Sequence, residues 1–389
     1  MFPVHDPFRR SLLAIAALFA ALGFQYATWA SRIPTVKAHL GLSAAEVGLL
    51  LMACGAGAAA SFPLVAALMR RLGSRRLACL SALALALLLL ALAVAPDYPV
   101  AMVVMCCDGV AVGCLNVAMN AQGAALEAVH GRTAMAKLHA TFSGGSLFAA
   151  LLASGVNLLT PAMTAHFAVA AVVIVLLVAV ARTGLLTEDQ QTAAPEKKKR
   201  RGRLTLPSRV TLWMGCAMVF GTVTEGAMND WSALYMRDVV GASSEMAPLG
   251  IAVVSVMMVA ARLFADGWRS RWGDGRVVRV GSVLAAAGLA LALVSGGVVP
   301  ALLGFACVGL GIAAVTPCVY VAAAGQGSDA LTLVAAMGTA GLLAGPPVIG
   351  FIANASSLVW GMAAVAVSAV LVSLCTTRIR WPRPAGQNA

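Results

Sequence analysis

Apolar residues run along this chain in long unbroken stretches, and polar residues collect in short intervals between them. Twelve stretches stand out, at about 11–31, 44–69, 77–95, 100–121, 138–159 and 165–182, then 209–230, 246–266, 277–295, 300–323, 331–353 and 358–377. Each approaches the roughly 20 residues a helix needs to cross a hydrocarbon core about 30 Å thick. None shows the ten-residue alternation of an outer-membrane barrel strand, so helices are expected throughout. The breaks carry turn chemistry, as in Ser31-Arg32-Ile33-Pro34, Pro96-Asp97-Tyr98-Pro99 and Pro161. One interval is unlike the others: Thr187 to Arg209 contains Pro195-Glu196-Lys197-Lys198-Lys199-Arg200-Arg201-Gly202-Arg203 and divides the stretches six and six.

Composition agrees with the pattern. Hydrophobic residues make up 61% and charged residues 11% of the 389, where a soluble domain carries charges at about a quarter of its positions. The net charge of +12 does not form one basic face, as a nucleic-acid binder would need, but sits in clusters between apolar runs. Such clusters report orientation, because short cytoplasmic loops retain Lys and Arg. With the N-terminus inside, only Arg32, Lys37 and Arg237 face outward, while Arg9/Arg10, Arg70 to Arg76, Lys197 to Arg209, Arg269 to Arg279 and Arg378 to Arg383 face in. Both termini and the linker are then expected in the cytoplasm. The nine cysteines fall in apolar stretches without a CxxC pair and read as small packing residues. Arg9-Arg10 before an apolar run imitates a secretory signal, but Gln25, Tyr26 and Trp29, and the even count of stretches, favour a first membrane helix.

A repeat appears at an offset of 200: Gly73 in Arg70 to Arg76 corresponds to Gly273 in Arg269 to Arg276, and Gly41, Ser43 and Glu46 correspond to Gly241, Ser243 and Glu245. Trp29 lies near the counterpart of Trp231. The implied organisation is a six-helix half over 1–183, a basic linker over 184–208, a second half over 209–378 and a tail over 379–389. Two parallel halves around a midplane solute site are the architecture of one transporter class.

The stretch Arg262-Leu263-Phe264-Ala265-Asp266-Gly267-Trp268-Arg269-Ser270-Arg271-Trp272-Gly273 resembles the Gly-Arg-x-x-x-Asp-x-x-x-x-Arg-x-Gly signature of the major facilitator superfamily. Its first-half counterpart keeps Gly73 and the basic residues but has Arg70 where the family's acid usually stands. Trp29 to Pro34, Asn116 to Gly123, Glu225 to Tyr235 and Gly345 to Gly350 resemble the YbjJ-like bacterial branch of that superfamily and, more distantly, the fucose permeases. The resemblance implies an all-α membrane protein of twelve transmembrane helices in two pseudo-symmetric halves, placed in a bacterial inner membrane.

Ionisable and amide side chains inside the apolar stretches mark the candidate chemistry, since a charge at membrane depth costs about 2.5–3.5 kcal/mol on insertion scales. Glu225 lies slightly past the middle of the seventh stretch, with Met228, Asn229 and Ser232 on its face, and Gln25 takes the equivalent depth in the first, with Trp29 and Arg32. Asp108 stands mid-stretch in the fourth, ahead of Asn116 and Asn120; the family branch leads one to expect an acid at Asn116, whose place Asp108 could take. Gln25, Trp29, Asn116, Asn120, Glu225 and Asn229 are therefore expected to line a solute site. Glu225, Asp108 and His139 are the candidate proton carriers, each set against a bracing or solvated role. Arg262 and Asp266, spaced to pair on one helical face, are read with Arg271, Gly73, Gly273 and Asp230 as a gating set.

No phosphate-cradling loop, metal-protease motif or nucleophile elbow appears, so an enzyme, a cofactor and a metal are not expected. The expected partners are a small-molecule solute, protons and membrane lipids, with no nucleic acid, and a monomer is the expected state. The reading is a secondary transporter working by alternating access, inclined to a polar, sugar-like solute taken up with protons. The alternatives are proton-antiporting efflux of amphipathic compounds and a non-transporting membrane protein on the same fold.

Overall fold

The computed structural model describes residues 6–187 and 208–381. Its helices are α1 (Pro7–Ala30), α2 (Ile33–Leu40), α3 (Ala44–Ala93), α4 (Tyr98–His130), α5 (Met135–Leu159) and α6 (Met163–Arg182), then α7 (Arg209–Asp238), α8 (Leu249–Trp272), α9 (Asp274–Ser295), α10 (Val298–Ile312), α11 (Val315–Ala324), α12 (Ser328–Ala355) and α13 (Leu358–Thr376). There is no strand among the described residues.

Local chemistry sets where these helices begin. Asp6 accepts from the Phe8 amide with Pro7 in the first turn of α1, Asp97 accepts from Val100 ahead of α4, and Ser208 accepts from Thr211 ahead of α7. At α3 the Ser43 amide donates to Glu46 Oε2 at 2.8 Å while the Glu46 amide donates to Ser43 Oγ at 3.2 Å, a reciprocal cap. The repeat seen in sequence has a backbone counterpart: Gly41 and Gly241 have φ of 64° and 73°, and Gly73 and Gly273 have φ of 71° and 80°. A left-handed turn stands at the same two points of each half because a side chain there would be strained.

The second and third stretches are two helical segments within Ala44–Ala93 that meet at Gly73, where the backbone leaves helical geometry, in the interval where a turn was expected. Two features differ from expectation. The tenth stretch is instead two helices, α10 and α11, because Pro317 has no amide hydrogen and crowds the carbonyl of Ala313. The short helix α2, closed by Gly41, was not expected.

Among the described residues nine helical segments are long and apolar enough to cross a membrane, with Ala44–Ala93 counted once and α10 and α11 joined as Val298–Ala324, and Leu249–Ala265 is a shorter apolar helix. The 30-residue α7 is not among the nine, and α7 and α8 carry Glu225 and Arg262. Exposed Leu87, Leu158, Val172, Leu263 and Val294 would be anomalous in water and are ordinary where lipid is the solvent. Cys106 and Cys107 are exposed on α4, so these two depart from the expected packing role.

The described chain divides into two compact units. The first takes residues up to Gly41 and from Ala53 through the N-terminal half; the second takes Leu42–Met52 with the C-terminal half. In the first, α1 packs on α5, α6 and α4. In the second, α7 packs on α12 and α13, and α10 on α8 and α9.

Candidate functional site

In the first unit the chemistry starts from small residues. A Cβ placed on Gly109 would stand 1.8 Å from the carbonyl oxygen of Cys54, so only glycine lets the α3 and α4 backbones meet there. That approach holds Asp108, 4% exposed, against Cys54 on α3 and Gln25 on α1. Gln25 Nε2 donates to Asp108 Oδ1 at 2.8 Å, and Cys54 Sγ donates to Asp108 Oδ2 at 3.7 Å. Both partners are neutral. Two residues that sequence assigned to different roles, Gln25 and Asp108, are thus one hydrogen-bonded unit.

Asn116 and Asn120, one turn apart further along α4, bond to each other: Asn120 Nδ2 donates to Asn116 Oδ1 and to the Asn116 carbonyl, both at 2.8 Å. Asn116 is exposed and Asn120 half-buried. Trp29 is buried, edge-on to Tyr26 at 5.8 Å, and its indole Nε1 has no hydrogen-bond partner among the described residues. Its approximate counterpart Trp231 is buried with its Nε1 in the same condition.

In the second unit Arg262 Nη2 donates to Glu225 Oε1 at 3.2 Å, joining α8 to α7, with side chains 26% and 27% exposed. The pair expected along α8 was Arg262 with Asp266; the side chain of Asp266 lies outside the described residues. Asn229 Nδ2 donates to the Glu225 carbonyl at 3.0 Å, so its amide is engaged with its own helix. Asp230 is buried near the end of α7.

At the turn from α8 to α9 the ion pair is Arg269 with Asp274, at 2.9 Å and 3.3 Å, across Gly273. Arg271 is exposed and sits over the Trp272 ring at 5.9 Å. His139 is exposed at the start of α5, edge-on to Phe19 at 5.1 Å. The linker cluster Lys197 to Arg203 lies outside the described residues.

Two polar contacts were not foreseen from sequence. Gln122 is fully buried and ties Ser74 Oγ at 2.8 Å to the Leu186 backbone at 2.9 Å and 3.0 Å, clamping the turn at Gly73 to the chain after α6. Arg32, assigned to an outward loop from its position, is 2% exposed and bonded to His166. Neither contact follows from periodicity, because the partners are 64 and 134 residues apart.

Residues 13–329 match the sequence pattern of the Major Facilitator Superfamily. An uncharacterized transporter, y4wD, of Sinorhizobium fredii is 32% identical over 92% of this chain and 96% of its own length. An uncharacterized MFS-type transporter of Yersinia pestis is 32% identical over 92% of each chain, and the membrane protein MosC of Rhizobium meliloti is 30% identical over 96% of this chain and 90% of its own. Among solved structures, the nucleoside transporter NupG superimposes with a TM-score of 0.71, and an aspartate-to-alanine variant of it with 0.77, over 96% of this chain at 14% and 13% identity. At that identity the likeness is one of fold.

Proposed function

The chain belongs to the major facilitator superfamily, and from that premise we propose that it is a secondary active transporter of a small polar organic solute, coupled to protons and working by alternating access in a bacterial cytoplasmic membrane. The observation that carries the proton-coupled reading is that each unit has a carboxylate inside its helices in different company. Among the described residues Asp108 is held by the neutral Gln25 amide and Cys54 thiol alone, whereas Glu225 is paired with Arg262. A proton on Asp108 removes a buried charge and leaves no partner charged. The Glu225–Arg262 ion pair, by contrast, is a contact between α7 and α8 that can form and break, so that site acts as a switch. Asp108 is the proton carrier in this reading, and the Glu225–Arg262 pair reports its unit's state.

In the first unit the Asn116–Asn120 pair on α4, with Asn116 exposed, offers amides that both donate and accept, which favours a hydroxyl-bearing solute. Sugars therefore head the substrate list, and nucleosides join it because they carry a sugar and are named for NupG.

A thermal-stability screen of the detergent-purified protein against sugars, nucleosides, organic acids and lipophilic cations at two pH values tests the class, because a bound solute raises stability by mass action. A pH-dependent shift with one polar class is the expected result. Shifts confined to lipophilic cations turn the reading to efflux, and none at all turns it to a non-transporting protein. With the solute in hand, Asp108→Asn in proteoliposomes is expected to lower proton-driven accumulation at least tenfold while solute exchange continues. Undiminished accumulation by Asp108→Asn would remove Asp108 from coupling, and the same result for Glu225→Gln would remove the switch.

A further inference from the structure

At one end of the first unit three guanidinium groups gather around a cavity of about 290 Å³, lined by Arg75, Arg76 and Cys79 of α3 and by Arg182 at the end of α6. The lining holds no acidic side chain. Arg76 and Arg182 make no side-chain hydrogen bond or ion pair among the described residues, and Arg75 uses one donor, Nη2, on the Arg182 carbonyl at 2.9 Å. Arg10 of α1 reaches the same end of α6 and donates to the Thr183 carbonyl. Arginine does not give up its proton, so like charges repel around the cavity until an anion enters it.

Two features set this cavity apart from a solvated basic loop. Its walls are held from inside the protein: Gln122, fully buried, bonds to Ser74 Oγ, beside Arg75, and to the backbone of Leu186, just beyond Arg182. Arg75 and Arg76 are thus presented in the first turn after Gly73, where the helix dipole also favours an anion. The second feature is an apolar track that leads away from the cavity. Arg76, Leu80, Leu87 and Val94 follow one another at four- and seven-residue spacing along one face of α3, and all are exposed. On α6, Val175 is exposed two turns before Arg182. A soluble anion leaves that track unused, whereas a lipid brings a charge for the cavity and chains for the track.

We propose that Arg75, Arg76 and Arg182 bind the phosphodiester of an anionic phospholipid whose acyl chains lie along the exposed face of α3. Guanidinium groups match phosphate oxygens in geometry and charge. The volume falls at the lower end of the range for small-molecule sites, about 300–1,000 Å³, and suits a headgroup with its chains outside. A choline or ethanolamine ammonium would return a cation to the arginines, so phosphatidylglycerol is preferred over zwitterionic lipids. In the orientation expected from the Lys and Arg distribution, this end faces the cytoplasmic leaflet, where anionic lipids attract basic groups. The site is separate from Asp108 and Glu225 and does not depend on what the chain transports.

The test uses the full chain purified in dodecyl maltoside and titrated with dioleoylphosphatidylglycerol or dioleoylphosphatidylcholine, with bound lipid read by native mass spectrometry and stability by Tm. Preferential retention of one phosphatidylglycerol per chain, with a saturable rise in Tm, is the expected result. Arg76→Gln combined with Arg182→Gln is expected to weaken that binding about thirtyfold, at about fivefold for each charge lost near a membrane surface. Arg75 stays in place because it bonds to α6. Arg378→Gln combined with Arg380→Gln removes the same charge from exposed arginines of the second unit and is expected to leave the binding within about twofold at physiological ionic strength. Inorganic phosphate and glycerol phosphate, which carry the charge without chains, are expected neither to displace the lipid nor to reproduce its Tm rise. Equal retention of the two lipids by the wild-type protein, or equal losses in the two double variants, would overturn the proposal. Displacement of phosphatidylglycerol by inorganic phosphate at equal concentration would overturn the lipid assignment in favour of a soluble anion.

Discussion

Asp108 shows how much a single side chain's surroundings decide. Its carboxylate has one amide and one thiol for company, and Gln25 supplies the shorter bond, at 2.8 Å. Gln25→Leu removes that donor and leaves a buried acceptor poorly satisfied, which costs about 1–3 kcal/mol and is expected as a lower Tm in detergent. Gln25→Glu places a second acid against Asp108 and is expected to lower Tm further, unless the two share a proton. For Glu225 and Arg262 the informative comparison is a double-mutant cycle. Because both side chains are about a quarter exposed, their coupling should fall in the lower part of the 0.5–3 kcal/mol range, roughly, for residues in contact. Glu225→Gln combined with Arg262→Gln is accordingly expected to be less destabilised than the sum of the single changes. Strict additivity would show that the contact contributes nothing.

Helix pairs in this protein meet through small residues, because in lipid the association of helices depends on close packing rather than on escape from water. The closest approach flanks the acid itself: a Cβ on Gly109 would meet the Cys54 carbonyl at 1.8 Å. Gly109→Ala must push α3 from α4 and is expected to cost about 1–3 kcal/mol or more, with loss of the proton-coupled activity assigned to Asp108. A methyl group on Gly155 of α5 would meet nothing within 4 Å, so Gly155→Ala should change stability by less than about 1 kcal/mol and in the favourable direction. Equal losses from the two would contradict the packing account. At the turns, Gly73→Ala and Gly273→Ala are each expected to cost about 1–2 kcal/mol, since φ of 71° and 80° is strained for alanine. These elements were legible in sequence where apolar length and turn residues coincide. They were misjudged where a helix runs past the apolar stretch, as α4 does to His130 and α7 to Asp238.

For the whole molecule, the distribution of Lys and Arg makes a statement about orientation that labelling can check. In a cysteine-free background, Ser244→Cys is expected to react with an impermeant thiol reagent added outside intact cells, and Arg76→Cys only after the membrane is opened. The reverse pattern would invert the assigned topology. The sequence by itself determined that the chain is a helical membrane protein, its approximate spans, its repeat and its family, because each rests on local quantities: apolar length, turn residues at fixed spacing and a contiguous motif. It also singled out Gln25, Asp108 and Glu225, since an amide or an acid inside an apolar stretch is conspicuous without knowing its neighbours. Which groups those side chains meet was decided by tertiary structure alone. Asp108 finds Gln25 from 83 residues away, Glu225 finds Arg262 from 37, and Arg32 finds His166 from 134. Such pairings depend on how helices pack and turn about their axes, which the period of a single helix does not encode, and it is those pairings that distinguish a carboxylate with neutral partners from one with a cation.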